Sequence, residues 1–377
     1  MRGTPEESKD LACLLISFQI LTPAYATLLF YFSFHYPIES AWNAALFSLE
    51  TRTYVRYNGK KKNLRGAPMP VDSDNFEQFC RRFYSDEACS RALFPLRWPR
   101  GFRCPLCDCT QFSLIRTRRL PLYQCSACRR QTSIISGTIM EGSRTPLPLW
   151  FQAMYLLSQP DGISALRLSD VLMVTYKTAW HIAHKIRFAL QSSEESESLN
   201  GHFRLNSFYY GNPLYPDARQ PLLIGATLDE QECPTRIVLR QPDPEHVDAD
   251  HRRVRASGYH AFVQEHADPL ADPVSGQFGK LHPAVFPITK SVTSWLNFTF
   301  NGIGAKHLQA YLHEFSFRLN KQLQELSSLD AILRQCAVTR ALQYDELTRT
   351  KPVLVVPWVY FGSRARWKGF HLRRWGA

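Results

Sequence analysis

Five of the ten cysteines fall between residues 104 and 128, and four of these form two Cys-x-x-Cys pairs: Cys104-Pro-Leu-Cys107 and Cys125-Ser-Ala-Cys128. Seventeen residues separate the pairs, enough for a hairpin that brings the second pair back to the first. Each pair makes a tight turn that presents two thiolates to one ion, and four soft thiolates select zinc, less often iron, over hard cations. Unrelated buried cysteines would not recur in this paired spacing. A redox Cys-x-x-Cys would open a helix after a strand, and neither pair is set that way. No histidine stands beside the pairs, and four sulfurs leave no open position, so the expected zinc is structural rather than catalytic. Cys109 is read as a bystander.

Around these knuckles stand Arg116, Arg118, Arg119, Arg129 and Arg130, interleaved with Phe112, Leu114 and Tyr123. Arginine on a small rigid hairpin suits phosphate contact, although each residue taken singly fits a solvated face equally well. The whole chain leans the same way. Of its 377 residues, 45 are Lys or Arg and 33 are Asp or Glu, with a pI near 9.3, which favours polyanionic partners without choosing among them. With 45% apolar and 21% charged residues the composition is that of folded protein, and the length suits two or three domains. The clustered cysteines argue against a secreted disulfide scaffold.

Several elements must position this site. Apolar spacing from Asn75 to Leu93 predicts two short helices, the second starting at Ser85-Asp86-Glu87. Three more helices are predicted from Pro148 to Leu190, broken at Pro160-Asp161-Gly162 and near Val174-Thr175. The last two have the shape of a helix-turn-helix, with Lys177, Thr178, His181, His184, Lys185 and Arg187 on the second helix as candidates for DNA contact; a plain helical hairpin fits the periodicity as well. Residues 191 to 202 are polar and acidic and read as a linker. Beyond them FRLNSFYYG, PLLIGATLD and RIVLRQ read as strands, and His307 to Leu326 as an amphipathic helix. Ahead of everything, Leu11 to Ile38 contains no Asp, Glu, Lys or Arg and is long enough to span a bilayer. Pro23 at its centre, and Glu6, Glu7 and Asp10 before it, weaken that reading, and Met69 opens a segment of different character.

The runs FYSDEACSRALFPLRWPRGFRCPLC, YQCSACRRQTSIISGTIMEGSRTPLPLWFQAMYLL, GISALRLSDVL and YKTAWHIAHKIR resemble the zinc-ribbon transposases of the insertion-sequence group numbered fifteen ninety-five. WLNFTFNGIGAKHLQAYLHEFSFRLNK is similar to the closing helical part of that group's catalytic domain, so the resemblance covers roughly residues 70 to 345. It implies a ribonuclease-H-like domain whose acidic residues hold two magnesium ions for DNA strand cleavage and transfer. It also implies insertion-sequence terminal repeats as the DNA partner. The three acidic positions do not carry over. The first, an Asp-Glu pair before an aromatic-glycine turn, falls on Asn206 and Ser207. The second, counted back from Gly258-Tyr259, falls on His246, with Asp248 and Asp250 nearby and Asp248 the substitute if the register shifts. The third, before Trp295-Leu296, falls on Thr293. The stretch from RIVLRQ to PDPEHVD is also short, since the group places a further strand and helix there.

The sequence therefore predicts an α+β multidomain chain. Residues 1–68 form an apolar and basic extension, read as a non-native extension or a buried hairpin, with membrane insertion the weaker alternative. Residues 69–140 form a helical pair with the zinc ribbon, 141–195 the helix-turn-helix-like segment, 203–345 a truncated, degenerate ribonuclease-H-like domain, and 346–377 a basic aromatic tail. The expected protein is a DNA-binding transposase derivative of the bacterial cytoplasm and nucleoid that is no longer catalytic, with magnesium needed only if activity survives. A homo-oligomer is compatible with this reading, and a membrane partner is not expected. The alternatives are an active transposase with shifted acids and a membrane-tethered zinc-ribbon interaction protein. Glu314, on the closing helix, is read as solvated or salt-bridged.

Overall fold

The computed structural model describes residues 54–57, 60–63, 73–211, 219–248, 250–275, 281–349, 352–354, 357–359 and 372–374. Contacts divide the chain into two units, Met1–Met69 and Pro70–Ala377. In the first, β1 (Tyr54–Tyr57) and β2 (Lys60–Asn63) pair as an antiparallel hairpin. The apolar run from Leu11 to Ile38 lies outside the described residues. Among those described, no helix is long and apolar enough to cross a membrane.

The second unit opens with α1 (Ser73–Arg82) and α2 (Asp86–Arg97). Ser85 starts α2 as expected, its Oγ accepting from Ala88 N at 3.2 Å while Asp86 and Glu87 complement the positive end of the helix. Strands β3 (Phe112–Ile115), β4 (Leu122–Cys125) and β5 (Gln131–Ser133) follow as one antiparallel sheet. Next come α3 (Leu147–Ser158), α4 (Ala165–Leu172) and α5 (Tyr176–Glu195). Asp86 accepts from Leu147 N at 2.7 Å, tying the start of α3 to the start of α2. The α4–α5 corner turns on Met173, left-handed at φ 54°, and on Thr175, whose Oγ1 accepts from Thr178 N at 3.2 Å. Helix α5 continues through Glu195, so the first part of the 191–202 linker is a correction: it is helix, and Glu194 is buried.

A second sheet follows. Strands β6 (His202–Tyr210), β7 (Gln220–Leu228) and β8 (Pro234–Arg240) run antiparallel in sequence order. After the two-residue strands β9 (Val247–Asp248) and β10 (Arg253–Val254), α6 (Ala256–His266) leads to β11 (Asp272–Ser275). That strand lies parallel to β6, with Asp272 beside His202, giving the order β11-β6-β7-β8. A helix and a further strand of this sheet thus follow His246 in the chain. Helices α7 (Phe286–Phe300), α8 (Ala305–Leu323), α9 (Ser328–Val338) and α10 (Tyr344–Thr348) follow. Short strands β12 (Pro357–Val359) and β13 (Leu372–Arg374) pair near the end of the sequence.

Among the described residues, two of the apolar clusters position the site. The larger gathers Leu93, Trp150, Phe151, Ile186 and Leu190 from the first helices with Phe317 of α8 and Ile332 and Cys336 of α9. Helix α9 therefore returns to the ribbon side, where Ile139 N donates to Cys336 O at 3.4 Å. The smaller places Phe203, Leu205, Leu223 and Val238 under Phe262 of α6. A side chain at Gly225 would meet Leu199 and Phe262 at 2.6 and 2.8 Å, so only glycine lets α6 approach the sheet this closely.

Helix α8 was expected to be amphipathic, yet Tyr311 through Lys321 are all buried. Its polar residues have specific partners. Asn320 Oδ1 accepts from Ile237 N at 2.8 Å and its Nδ2 donates to Ile237 O at 2.9 Å. Gln309 does the same one repeat on, accepting from Gln241 N at 2.7 Å and donating to Leu239 O at 3.0 Å. The Glu314 carboxylate, 0% exposed, receives Arg187 Nε of α5 at 2.6 Å and an ion pair from Arg318. Arg187 also lies over the Tyr311 ring at 3.9 Å, and Arg318 donates to Leu157 O at 3.2 Å at the end of α3. Glu314 is thus salt-bridged rather than solvated.

Losing one member of such a buried set strands the others in a low-dielectric interior. Glu314→Leu is expected to cost about 3–5 kcal/mol in urea unfolding; a change below about 1 kcal/mol would show the cluster to be energetically idle. Glu194 supplies a pH test. Burial raises its pKa from 4.5 to about 7, against the pull of Arg236. The folded state therefore holds this proton more tightly than the unfolded chain, and stability from this group is full below pH 4.5 and lost as pH rises through 7. Glu194→Gln, which can still accept from Asn320, should raise the melting temperature at pH 8 and leave it nearly unchanged at pH 4.5; an equal shift at both pH values contradicts the assignment.

Candidate metal centre and nucleic-acid face

The two knuckles are built alike. Cys104 N donates to Cys109 O at 3.0 Å and Asp108 N to Cys104 O at 2.9 Å; Cys125 N donates to Arg130 O at 2.9 Å and Arg129 N to Cys125 O at 3.1 Å. In each, the residue after the second cysteine is left-handed, Asp108 at φ 57° and Arg129 at φ 59°. This repeated turn points paired sulfurs inward. Cys104 and Cys128 Sγ lie 3.5 Å apart, as do Cys107 and Cys125 Sγ, and all four sulfurs fall within 4.8 Å of one another. A tetrahedral zinc with Zn–S of about 2.3 Å needs sulfurs about 3.8 Å apart, so the donor set and its size fit that ion.

The sulfurs also need a cation on electrostatic grounds. Cys125 is drawn down to about 6, chiefly by the backbone N–H of Cys128. Cys107 is pushed up to about 12: the Cys109 N–H lowers it, but the sulfurs of Cys128 and Cys125 outweigh that. Four thiols this close cannot ionise together unaided, whereas a dication lets all four do so. Among the described residues this is the one group of three or more His, Cys, Asp or Glu side chains close enough to share a metal. Cys109 stands outside it, its Sγ directed at Gln111 O. Phe94 of α2 and Trp98 just after it, with Phe102, Phe112 and Tyr123, form an aromatic cluster with ring centroids 5.0–6.2 Å apart that seats the ribbon on the helical core.

The ribbon arginines are all exposed. Arg116 and Arg119 face Glu87 and Asp86 at 3.8 and 3.4 Å, while Arg118, Arg129 and Arg130 have no carboxylate partner among the described residues. On α5, Lys177 and Thr178 lie at the N-terminal turn; His181 packs against the Tyr344 ring at 4.7 Å, and Lys185 is half-buried. His184 and Arg187 do not belong to a DNA-facing set, because both are buried. Sequence spacing alone could not separate them, since the covering surfaces come from α8.

The three positions matched to a catalytic site are set apart. Asn206 on β6 is buried and alternates with Leu205, so it points away from α6, to the face bearing Tyr210, whose hydroxyl accepts from Ile303 N just before α8. His246 instead meets Ser257 at the start of α6, 3.0 Å from its Oγ. The structure does not bring the two together. Asp248 is engaged within its own loop, accepting from Asp250 N, His251 N and the His251 ring at 3.0–3.3 Å. Thr293 on α7 donates to Thr289 O at 2.7 Å.

A closed four-sulfur cluster on a three-stranded hairpin sheet that carries exposed arginines has the form of a zinc ribbon. Residues 84–131 match the family described as the transposase zinc-ribbon domain. A protein described as an uncharacterized protein in transposable element ISH50 of Halobacterium salinarum is 29% identical over 132 residues, which cover 34% of this chain and 43% of that protein. The chain thus spans less than half of that relative. No solved structure matches. The two matches support the resemblance to the zinc-ribbon transposases of the insertion-sequence group numbered fifteen ninety-five.

The metal centre has a direct test. Purified protein should carry one zinc per chain, and Cys125→Ser or a strong chelator should remove it together with the near-ultraviolet signal of the Trp98 cluster. Zinc should also dissociate as pH falls, because protons compete for the thiolates. A ribbon that kept its aromatic signal without metal would contradict the assignment.

Proposed function

We propose that this chain is an insertion-sequence transposase derivative that binds duplex DNA through its ribbon and the adjoining α4–α5 corner, and that has lost two-metal strand cleavage. The observation that carries the binding half is the sulfur cluster itself, which fixes Arg118, Arg129 and Arg130 on a rigid hairpin with no acidic partners among the described residues. A capped corner before α5 leaves Lys177 and Thr178 at the leading turn, consistent with a helix-turn-helix.

The sheet order supports a ribonuclease-H-like reading of the second half: three antiparallel strands, a helix, then a fourth strand parallel beside the first. In such a sheet the residues flanking Asn206 on the neighbouring strand fall at the end of β11 rather than at His246. From Pro273 to His313 the chain carries no Asp or Glu, so neither that strand end nor α7 offers a carboxylate. Magnesium ions need oxygen ligands and negative charge there, and an amide at Asn206 supplies no charge. An active site shifted to Asp248 is the weaker reading, because that carboxylate is engaged in its own loop beside α6. In a bacterial cell this function places the protein with the nucleoid.

Duplex binding should weaken steeply with salt, by about tenfold or more between 50 and 200 mM, and should be lost in Cys104→Ser. No magnesium-dependent cleavage or strand transfer of terminal-repeat DNA is expected. Cleavage abolished by Asp248→Ala would overturn the inactive reading, and salt-insensitive or absent binding would overturn the rest.

A further inference from the structure

The exposed stripe of α5 is already occupied by a later part of the same chain. Lys177, His181 and Phe188 follow one another along one side of α5. Tyr344, the first residue of α10, sets its ring 4.7 Å from His181 and 5.6 Å from Lys177 Nζ. Arg340, four residues earlier, lies over the Phe188 ring at 5.6 Å. Asp345 and Glu346 bring two carboxylates into the first turn of α10, and Glu346 both pairs with Arg340 at 2.8 Å and accepts from Gln343 N at 3.1 Å. This segment thus sets an aromatic ring against Lys177 and His181, while Glu346 pairs within the segment with Arg340 and holds its turn together.

The cover is shallow. Tyr344 remains 49% exposed, α10 is one short turn, and Leu342 and Leu347 are its buried anchors. It also leaves a polar group unsatisfied: His181 Nε2 is buried with no hydrogen-bond partner. A phosphate oxygen could accept from His181 and pair with Lys177 at once, which the Tyr344 ring cannot do.

We propose that Arg340–Arg349 is an intramolecular competitor for polyanion binding, seated on the α5 stripe and displaced when a DNA backbone takes its place. This rests on the assignment of α5 to DNA. In the full-length zinc-loaded protein, Tyr344→Ala should tighten binding to a fluorescent duplex by about fivefold, the equivalent of one lost cation–π contact and its neighbouring charges. Glu346→Gln should act in the same direction, and Lys177→Glu should weaken binding in both the wild-type and Tyr344→Ala backgrounds. In the wild-type protein, added duplex should speed amide hydrogen exchange in residues 344–348 and slow it at the start of α5; this readout needs no variant to fold. Unchanged or weaker binding by Tyr344→Ala, or slower exchange in 344–348 with DNA, would overturn the competitor role and make α10 part of the DNA surface. If Lys177→Glu has no effect in either background while Cys104→Ser abolishes binding, it is the α5 assignment that fails, and the ribbon acts alone.

Discussion

One carboxylate, Glu314, holds together parts of the second unit that are far apart in sequence. It sits with no solvent contact between Arg187 of α5 and Arg318 of its own helix, and through Arg318 reaches the last turn of α3. Trp295 of α7 closes the same region by donating to Asp161 O at 2.8 Å, and Gly162 beside it must lack a side chain because a Cβ would stand 2.8 Å from Arg318 Nη1. Two buried guanidiniums around one acid are costly to assemble, and they tolerate only one arrangement of the helices that carry them. That arrangement puts the ribbon-side helices and the second sheet on opposite sides of α8.

The same constraint explains what the sequence could and could not reveal. The knuckles were legible because metal-ligand spacing is local: two residues between sulfurs fix a turn whatever lies around it. Helix starts at Ser85 and Thr175 were legible for the same reason, each cap being decided within three residues. The end of α5 was not. Its Gln-Ser-Ser-Glu-Glu composition suggests linker, and only Asn320 and Arg236, both remote in sequence, give Glu194 a reason to be buried. Arg187 and His184 looked like contacts for a ligand because spacing reports a face of a helix and not what covers it. The periodicity of α8 implied one wet side, whereas sheet and helices enclose it on both.

The landmark used for the second acidic position has a packing role of its own. A Gly-Tyr pair at 258–259 anchored the count, yet Gly258 is there for packing: a Cβ would come within 2.7 Å of Val254 and 3.0 Å of the His246 side chain. A glycine at the start of α6 therefore meets a steric requirement that strand and helix periodicity do not report. The fold itself, with β11 beside β6, could not be read from strand propensity, since a four-residue strand containing Pro273 has little to mark it.

The two amides on α8 have a bearing on how the molecule stays alone or joins others. Asn320 and Gln309 take up the outward-pointing N–H and C=O groups of β8 as a neighbouring strand would, so the ladder terminates in side chains instead of open backbone. Sheet-to-sheet association across that border is thereby closed off, and with it one common route to misassembly. The protection arrives late in folding, because it exists only after α8, more than sixty residues further along, has docked against a strand made well before it. A ribosome-bound chain would carry that border bare until its final helices emerged.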